Sequence, residues 1–209
     1  MKDFQKLFSK GTYLPLIEEF YSLQGEGLHT GKAAYFIRIG GCDIGCRWCD
    51  SKYSWQYGRD SLIKTEDLVK KIANKGYKDV VVTGGEPMMY NLELFTSLLK
   101  KADITTYLET SGTHPITGIW DWICLSPKPQ QPPLQKYFDI ANELKVIIYD
   151  VPSDFEWAEQ NAKKINTPHL FLQPEWSRRK ENTPIIIDYI KKHPKWNLSV
   201  QLHKYIGIP

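Results

Sequence analysis

The sequence predicts an α/β chain built on a mainly parallel sheet, an incomplete and open (β/α) barrel. Short β-branched and aromatic runs alternate with helical patterns, as in successive β/α units. Nearly every run ends in a Gly, Pro or polar signature. The chain has 209 residues, whereas eight complete units take about 250. No internal repeat, low-complexity stretch or long linker divides it, so a single domain over residues 1–209 is expected.

Taken in order, the expected strands cover residues 16–21, 34–39, 79–83, 105–109, 122–125, 144–148, 169–172 and 198–201. A helix over 65–74 opens on Thr65 as a cap, with Glu66 and Asp67 in its first turn where the dipole favours them. A second, over 92–101, follows Asn91. A third, over 155–164, carries a capping box of Ser153 with Glu156. A fourth, over 184–192, stops at His193-Pro194.

Composition narrows the class. The chain is 42% apolar and 24% charged, ordinary for a soluble globular protein. Its net charge of +3 is slight and its Lys and Arg are dispersed, which argues against a nucleic-acid partner. No apolar run approaches twenty residues and no leader stands at Met1-Lys2-Asp3, so we expect a cytoplasmic protein without a membrane partner. The aromatic residues are scattered singly and read as packing.

Three of the four cysteines, Cys42, Cys46 and Cys49, form a C-x3-C-x2-C loop. Three soft thiolates without a fourth nearby suit a cubane in which one iron stays open. Zinc remains an alternative, although a structural site wants four ligands and His29, the nearest histidine, has no spaced partner. A packing or redox role is the third reading, and a disulfide framework is disfavoured by the crowding. Cys124, inside an apolar strand, reads as a core thiol.

Function in such folds sits at the carboxyl ends of the strands. The first run leads into Ser22-Leu23-Gln24-Gly25-Glu26-Gly27, the second into the cysteine loop and the third into Gly84-Gly85-Glu86-Pro87. Later runs lead into Thr110-Ser111-Gly112, Ser126-Pro127-Lys128-Pro129 and Gln173-Pro174. Each alone reads as a turn, but their joint placement outlines a site. The two glycines would open backbone groups to a ligand, and Glu86 would accept a cationic amine. An amine beside an iron cluster suggests an amino-acid-like cofactor.

The cysteine loop with Trp48 before its last cysteine, followed by Gly84-Gly85-Glu86-Pro87, resembles the radical S-adenosylmethionine superfamily. That resemblance implies a [4Fe–4S] cluster on Cys42, Cys46 and Cys49, whose open iron chelates the amino and carboxylate groups of S-adenosyl-L-methionine. It also implies contact between Gly84, Gly85 and Glu86 and the methionine amine. Adding Leu23-Gln24-Gly25-Glu26-Gly27, Arg38, Cys49-Asp50-Ser51, Ser126-Pro127-Lys128 and the segment from Gln201 to Pro209, nearly the whole chain resembles the 7-carboxy-7-deazaguanine synthase family. Small activating enzymes that place a glycyl radical on a protein share the cysteine loop but give no reason for the Leu-Gln-Gly-Glu-Gly segment.

For that family the resemblance implies a radical ring contraction of 6-carboxy-5,6,7,8-tetrahydropterin to 7-carboxy-7-deazaguanine with loss of ammonia. The reaction lies on the route to queuosine, a tRNA modification. The 5′-deoxyadenosyl radical takes hydrogen from C6 and later returns it, so the cofactor is regenerated. Residue by residue, Leu23, Gln24, Gly25, Arg38, Thr83 and the carboxylate of Pro209 map onto substrate contacts. Gly85, Ser126, Pro127, Lys128 and Gln173 map onto cofactor contacts. Ser51 stands where a Mg²⁺-binding Thr is expected; it keeps the hard hydroxyl oxygen but loses the methyl that restricts the rotamer, while Asp50 would hydrogen-bond nearby. An electron donor such as flavodoxin or ferredoxin and a homodimer are also implied.

Overall fold

The computed structural model describes residues 8–209; Met1-Lys2-Asp3, where no leader is expected, lies outside the described residues. The strands are β1 (Tyr13–Leu23), β2 (Ala33–Ile39), β3 (Leu62–Lys64), β4 (Asp79–Gly84), β5 (Thr105–Thr110), β6 (Trp122–Leu125), β7 (Glu143–Ile148), β8 (Leu170–Pro174) and β9 (Trp196–Leu198). They form one open sheet in the order β3-β1-β2-β4-β5-β6-β7-β8-β9. The helices are α1 (Thr65–Asn74), α2 (Glu93–Lys101), α3 (Gln135–Ile140), α4 (Ser153–Ala162), α5 (Arg179–Lys192) and α6 (Leu202–Ile206).

From β2 to β9 every pairing is parallel, and the side chains alternate between two very different faces. Ile37, Ile39, Val80, Val82, Leu108, Ile123, Leu125, Leu144, Val146, Leu170 and Leu172 point to the helices. There they join Leu68, Phe95, Tyr137, Phe155 and Ile186 in the main core. Burying each such side chain stabilises the fold by roughly 1.5–3 kcal/mol, so this face sets the architecture. On the inner face Ala34, Phe36, Val81 and Tyr107 form a smaller apolar cluster. Two residues further along these strands come Arg38, Thr83 and Glu109, and the inner face of β7 and β8 carries Lys145 and Gln173.

The sheet departs from a uniform parallel order at one edge. β1 runs antiparallel to both β2 and β3, because residues 24–32 make a tight return, closed by Gln24 N–H to Lys32 O at 2.8 Å and Gly31 N–H to Gln24 O at 2.8 Å. The carboxyl end of β1 therefore lies at the amino ends of the parallel strands. Its loop enters the barrel from the end opposite to the other strand-end loops.

Several local expectations are corrected. Thr65 opens α1 but does not cap it; its hydroxyl donates to Gly11 O at 2.6 Å. The Ser153 and Glu156 capping box is absent, since Ser153 Oγ donates to Asp150 O while Asp154 accepts from the Tyr149 and Asp150 amides at 2.7 Å each. The helix expected at Pro184 begins at Arg179 and keeps Pro184 inside it; the proline removes one hydrogen bond, which the packed helix tolerates. The last strand covers 196–198 rather than 198–201, because Ser199 and Gln201 turn their side chains to Gln173 and Glu26. β3, α3 and α6 are too short for their periodicity to be seen in the sequence. Among the described residues no helix is long and apolar enough to cross a membrane.

Candidate active site

A cavity of about 510 Å³ occupies the inner face of the open barrel. It gathers Cys42, Cys46, Cys49, Ser51, Gly84, Gly85, Glu86, Ser126, Lys128 and Gln173 with Leu23, Gln24, Gly25, Arg38, Thr83 and Pro209. Of the site residues expected from the sequence, Pro127 is the one placed elsewhere. It lines a second cavity of about 400 Å³ with Arg47 and Trp157, and its carbonyl accepts from Trp157 Nε1 at 3.3 Å.

The cysteine loop is held by backbone contacts to the strands beneath it. Gly41 N–H donates to Ser54 O at 2.7 Å, and Cys49 N–H to Cys46 O at 3.1 Å. Gly85 N–H donates to Ile39 O and Glu86 N–H to Gly41 O, both at 2.9 Å. A Cβ on Gly85 would lie 2.0 Å from Gly41 O and 2.9 Å from Cys42 Cβ, so glycine is required by the closeness of the loop. The amides of residues 85 and 86 are thus used within the protein rather than opened to a ligand.

The three thiols are free and their surroundings suit a cluster. Burial pushes the Cys42 thiol up, opposed by the backbone amides of Ile44 and Gly45. Burial pushes Cys46 up as well, opposed by the charge of Lys128. N–H groups and a cation near the sulfurs are what stabilise cluster thiolates. Among the described residues no three His, Cys, Asp or Glu are gathered as one metal ion would require. A cubane asks for less convergence, because each thiolate binds a different iron, and it fits these cysteines better than zinc. Ser51 Oγ lies 3.6 Å from Cys49 Sγ. Asp50 accepts from Gln201 Nε2 at 3.0 Å and from Lys204, which bring its carboxyl below the usual range despite burial.

Glu86 is 1% exposed, and its carboxylate is fully subscribed. Oε1 accepts from Met88 N at 3.1 Å and Thr110 Oγ1 at 2.5 Å; Oε2 accepts from Ser111 N at 2.8 Å and Ser111 Oγ at 2.5 Å. A carboxylate offers about four lone-pair positions, so the charge is satisfied by β5's end and the 87–89 turn, leaving little for an external amine. Lys128 donates to Ser126 O at 2.5 Å and Ser126 Oγ at 2.7 Å, 5.7 Å above the Trp48 ring centre, and burial lowers its pKa.

On the other side of the cavity Arg38 lies beside Thr83 in the β2–β4 ladder. Arg38 Nε donates to Glu18 Oε1 at 2.5 Å, and Tyr53 OH donates to the same oxygen at 2.8 Å. The return loop after β1 brings Glu26 and Gln24 to β5 and β7. Lys145 donates to Glu26 Oε2 at 2.7 Å and Glu109 Oε2 at 2.9 Å, and Gln24 Nε2 donates to Glu109 Oε1 at 3.3 Å. The segment after β9 completes the wall. Leu202 N–H donates to Gly25 O at 2.9 Å, Gln201 Nε2 to Glu26 Oε1 at 2.9 Å, and Ser22 Oγ to Pro209 O at 2.9 Å. A Cβ on Gly25 would fall 2.0 Å from His203 Nδ1, so glycine lets α6 dock there.

Glu26, Glu109, Lys145 and His203 are cavity residues that the sequence reasoning did not select as site residues. A signal existed for two of them: Glu109 and Lys145 are charged residues inside strands, in phase with the inner face that Arg38 and Thr83 mark. Glu26 and His203 depend on loops whose course no periodicity reveals.

The chain is similar to known proteins in sequence and in fold. The radical SAM superfamily profile matches residues 36–123, the stretch holding the cysteine loop and Gly84-Gly85-Glu86-Pro87. The 7-carboxy-7-deazaguanine synthase of Flavobacterium psychrophilum is 52% identical, over 100% of this chain and 99% of its own. The enzyme of that name from Synechocystis is 46% identical, over 93% of each chain. The crystal structure of QueE from Escherichia coli superposes with a TM-score of 0.79 at 30% identity, covering 95% of this chain and 98% of that one.

Proposed function

Because the chain belongs to the 7-carboxy-7-deazaguanine synthase family of radical S-adenosylmethionine enzymes, we propose that this cavity contracts 6-carboxy-5,6,7,8-tetrahydropterin to 7-carboxy-7-deazaguanine with loss of ammonia. One observation carries the reading: a single cavity presents three cluster-competent thiols on one wall and an Arg, Thr and Gln set on another. Cys42, Cys46 and Cys49 would hold the cluster, which supplies the electron that cleaves S-adenosylmethionine and so starts the radical chemistry. Ser126, Lys128 and Gln173 line the same space and would fix the cofactor, with Gly84 and Gly85 bringing the strand end against the cluster loop. Glu86 would act there by shaping the strand end.

The chain's own residues then bind and orient the substrate. The Arg38 guanidinium, anchored through Nε, suits the 6-carboxylate. Thr83 and Gln24 offer hydroxyl and amide groups to the pterin edge, while Leu23, Gly25 and the carboxylate of Pro209 line the same wall as further substrate contacts. Glu26 and Glu109 provide carboxyl oxygens as acceptors for ring N–H groups. Ser51 is the hydroxyl next to the last cluster cysteine and would contribute one oxygen to Mg²⁺, which prefers such hard ligands.

Residues 1–209 would form one catalytic domain, working in the cytoplasm as a homodimer with flavodoxin or ferredoxin as electron donor. Anaerobic incubation with dithionite, S-adenosylmethionine, Mg²⁺ and the carboxytetrahydropterin tests the central reading. The expected outcome is the carboxydeazaguanine with S-adenosylmethionine recovered. Cluster loading and cofactor cleavage without a deazapurine would overturn the substrate assignment.

A further inference from the structure

Lys145 is a cation on the inner face of a strand whose opposite face builds the core. Its side chain is 5% exposed, and it stands between two carboxylates from different elements. Glu26 comes from the return loop that enters the barrel from below, whereas Glu109 comes from the inner face of β5. Nothing in the backbone forces these two to meet; the ammonium joins them, at 2.7 and 2.9 Å. Gln201 and Gln24 then fix the outer oxygen of each.

The geometry points to Lys145 as a positioning residue for the reaction assigned above: it clamps Glu26 and Glu109 together as an ionised acceptor pair on the cavity wall. Without the clamp, two carboxylates in a desolvated space repel and one takes a proton, turning an acceptor into a donor. The other charged or titratable groups facing this site are few. Glu143 and Cys124 stand on β7 and β6, with Cys124 Sγ 3.5 Å from Glu143 Oε1. Lys128, His203 and Asp50 face it from the β6 loop, α6 and the cysteine loop. Burial opposes the ammonium charge, but Cys124, Glu109, Glu26 and Glu143 together hold Lys145 well above the usual lysine range. Burial also raises Glu26, yet Lys145 and Gln201 reverse that and bring it to about 2.

The experiment compares wild type with Lys145→Met and Lys145→Gln. In the variants kcat/KM for the pterin falls on the order of a hundredfold near neutral pH, the usual scale for removing one partner of a buried pair. It then recovers as pH rises, because the shared proton leaves the pair. A loss that is the same at every pH marks a merely structural lysine and overturns the proposal. Infrared titration of carboxyl groups in the cluster-loaded wild type needs no turnover, with Glu26→Gln to assign the band. The Glu26 carboxyl should not protonate between about pH 8 and about pH 5; a Glu26 band titrating there overturns the clamp. Should wild type yield no deazapurine, the substrate assignment fails while the infrared result still decides the role of Lys145.

Discussion

Glu18 Oε1 takes the Nε–H of Arg38 at 2.5 Å, so the guanidinium is gripped by its inner edge and its two terminal nitrogens are left for a ligand. The grip is shared with Tyr53. Arg38 and Tyr53 together outweigh burial and lower the Glu18 pKa, so the grip persists through the usual carboxylate range and is lost only as pH falls through the lowered value. Glu18→Gln should raise KM for the pterin about fivefold, a charge-assisted bond discounted for partial exposure, and leave S-adenosylmethionine binding unchanged. Steady-state kinetics and calorimetry separate the two. Equal losses for both ligands would remove Arg38 from the substrate wall.

Glu86→Gln should act on stability first. An amide keeps one acceptor oxygen and turns an N–H₂ group toward donors from Ser111 or Thr110, leaving buried groups unsatisfied at a cost of about 2–4 kcal/mol. Thermal or urea unfolding reads this directly. A stable variant with weakened S-adenosylmethionine binding would instead assign Glu86 to the cofactor amine.

Gly85→Ala meets backbone, since the new methyl would press on Gly41 O and Cys42 Cβ, neither of which can swing aside. The loop must move, so iron content after anaerobic reconstitution should drop severalfold while the helix-packed core, and hence far-UV circular dichroism, persists. Full iron occupancy would show that the loop gives way freely.

Acid stability should depend on Glu26. Its carboxyl is held at about 2 against an ordinary value of 4.5, so its contribution is complete above 4.5 and is lost as pH falls toward 2. His203 is lowered mainly by burial, so the folded state favours its neutral ring, and that contribution is complete above the ordinary value of 6.5 and is lost as pH falls through the lowered one. Glu26→Gln should flatten the decline of stability below pH 4.5, measured by urea midpoints across that range. An unchanged slope would show that other carboxylates govern acid unfolding.

Ser51→Ala should abolish stimulation by Mg²⁺, whereas Ser51→Thr should retain it, because a single hydroxyl oxygen is what a hard cation needs. Metal titration of activity distinguishes them. Identical Mg²⁺ responses in all three proteins would exclude the hydroxyl.

The helix-packed half of this protein was legible because burial on one face leaves a period in the sequence: Val80 and Val82 or Leu170 and Leu172 announce a strand without help from the rest of the chain. Cys42, Cys46 and Cys49 were legible for a different reason, their spacing being itself the chemistry. Glu86 shows the limit, since a carboxylate between Gly and Pro suggests a ligand until Ser111 and Thr110, far along the chain, are seen to occupy it. The antiparallel course of β1 was equally hidden, because a strand's direction is decided by its partner and not by its own residues. Lys145 and Glu109 stood in plain sight as charges within strands; what was missing was the ladder that puts them in phase with Arg38.

The contacts that complete the cavity wall join residues 187, 175 and 172 positions apart, at Ser22 with Pro209, Glu26 with Gln201 and Gly27 with Ser199. Closing such long loops carries an entropic cost that adjacent β/α units avoid. The cysteine loop and its strands lie within one short stretch, with Arg38 and Thr83 on the same ladder. The two ends of the chain are therefore tied to one chamber, and a change at residues 199–209 reaches the return loop after β1 without touching the backbone bonds that hold the metal-binding loop.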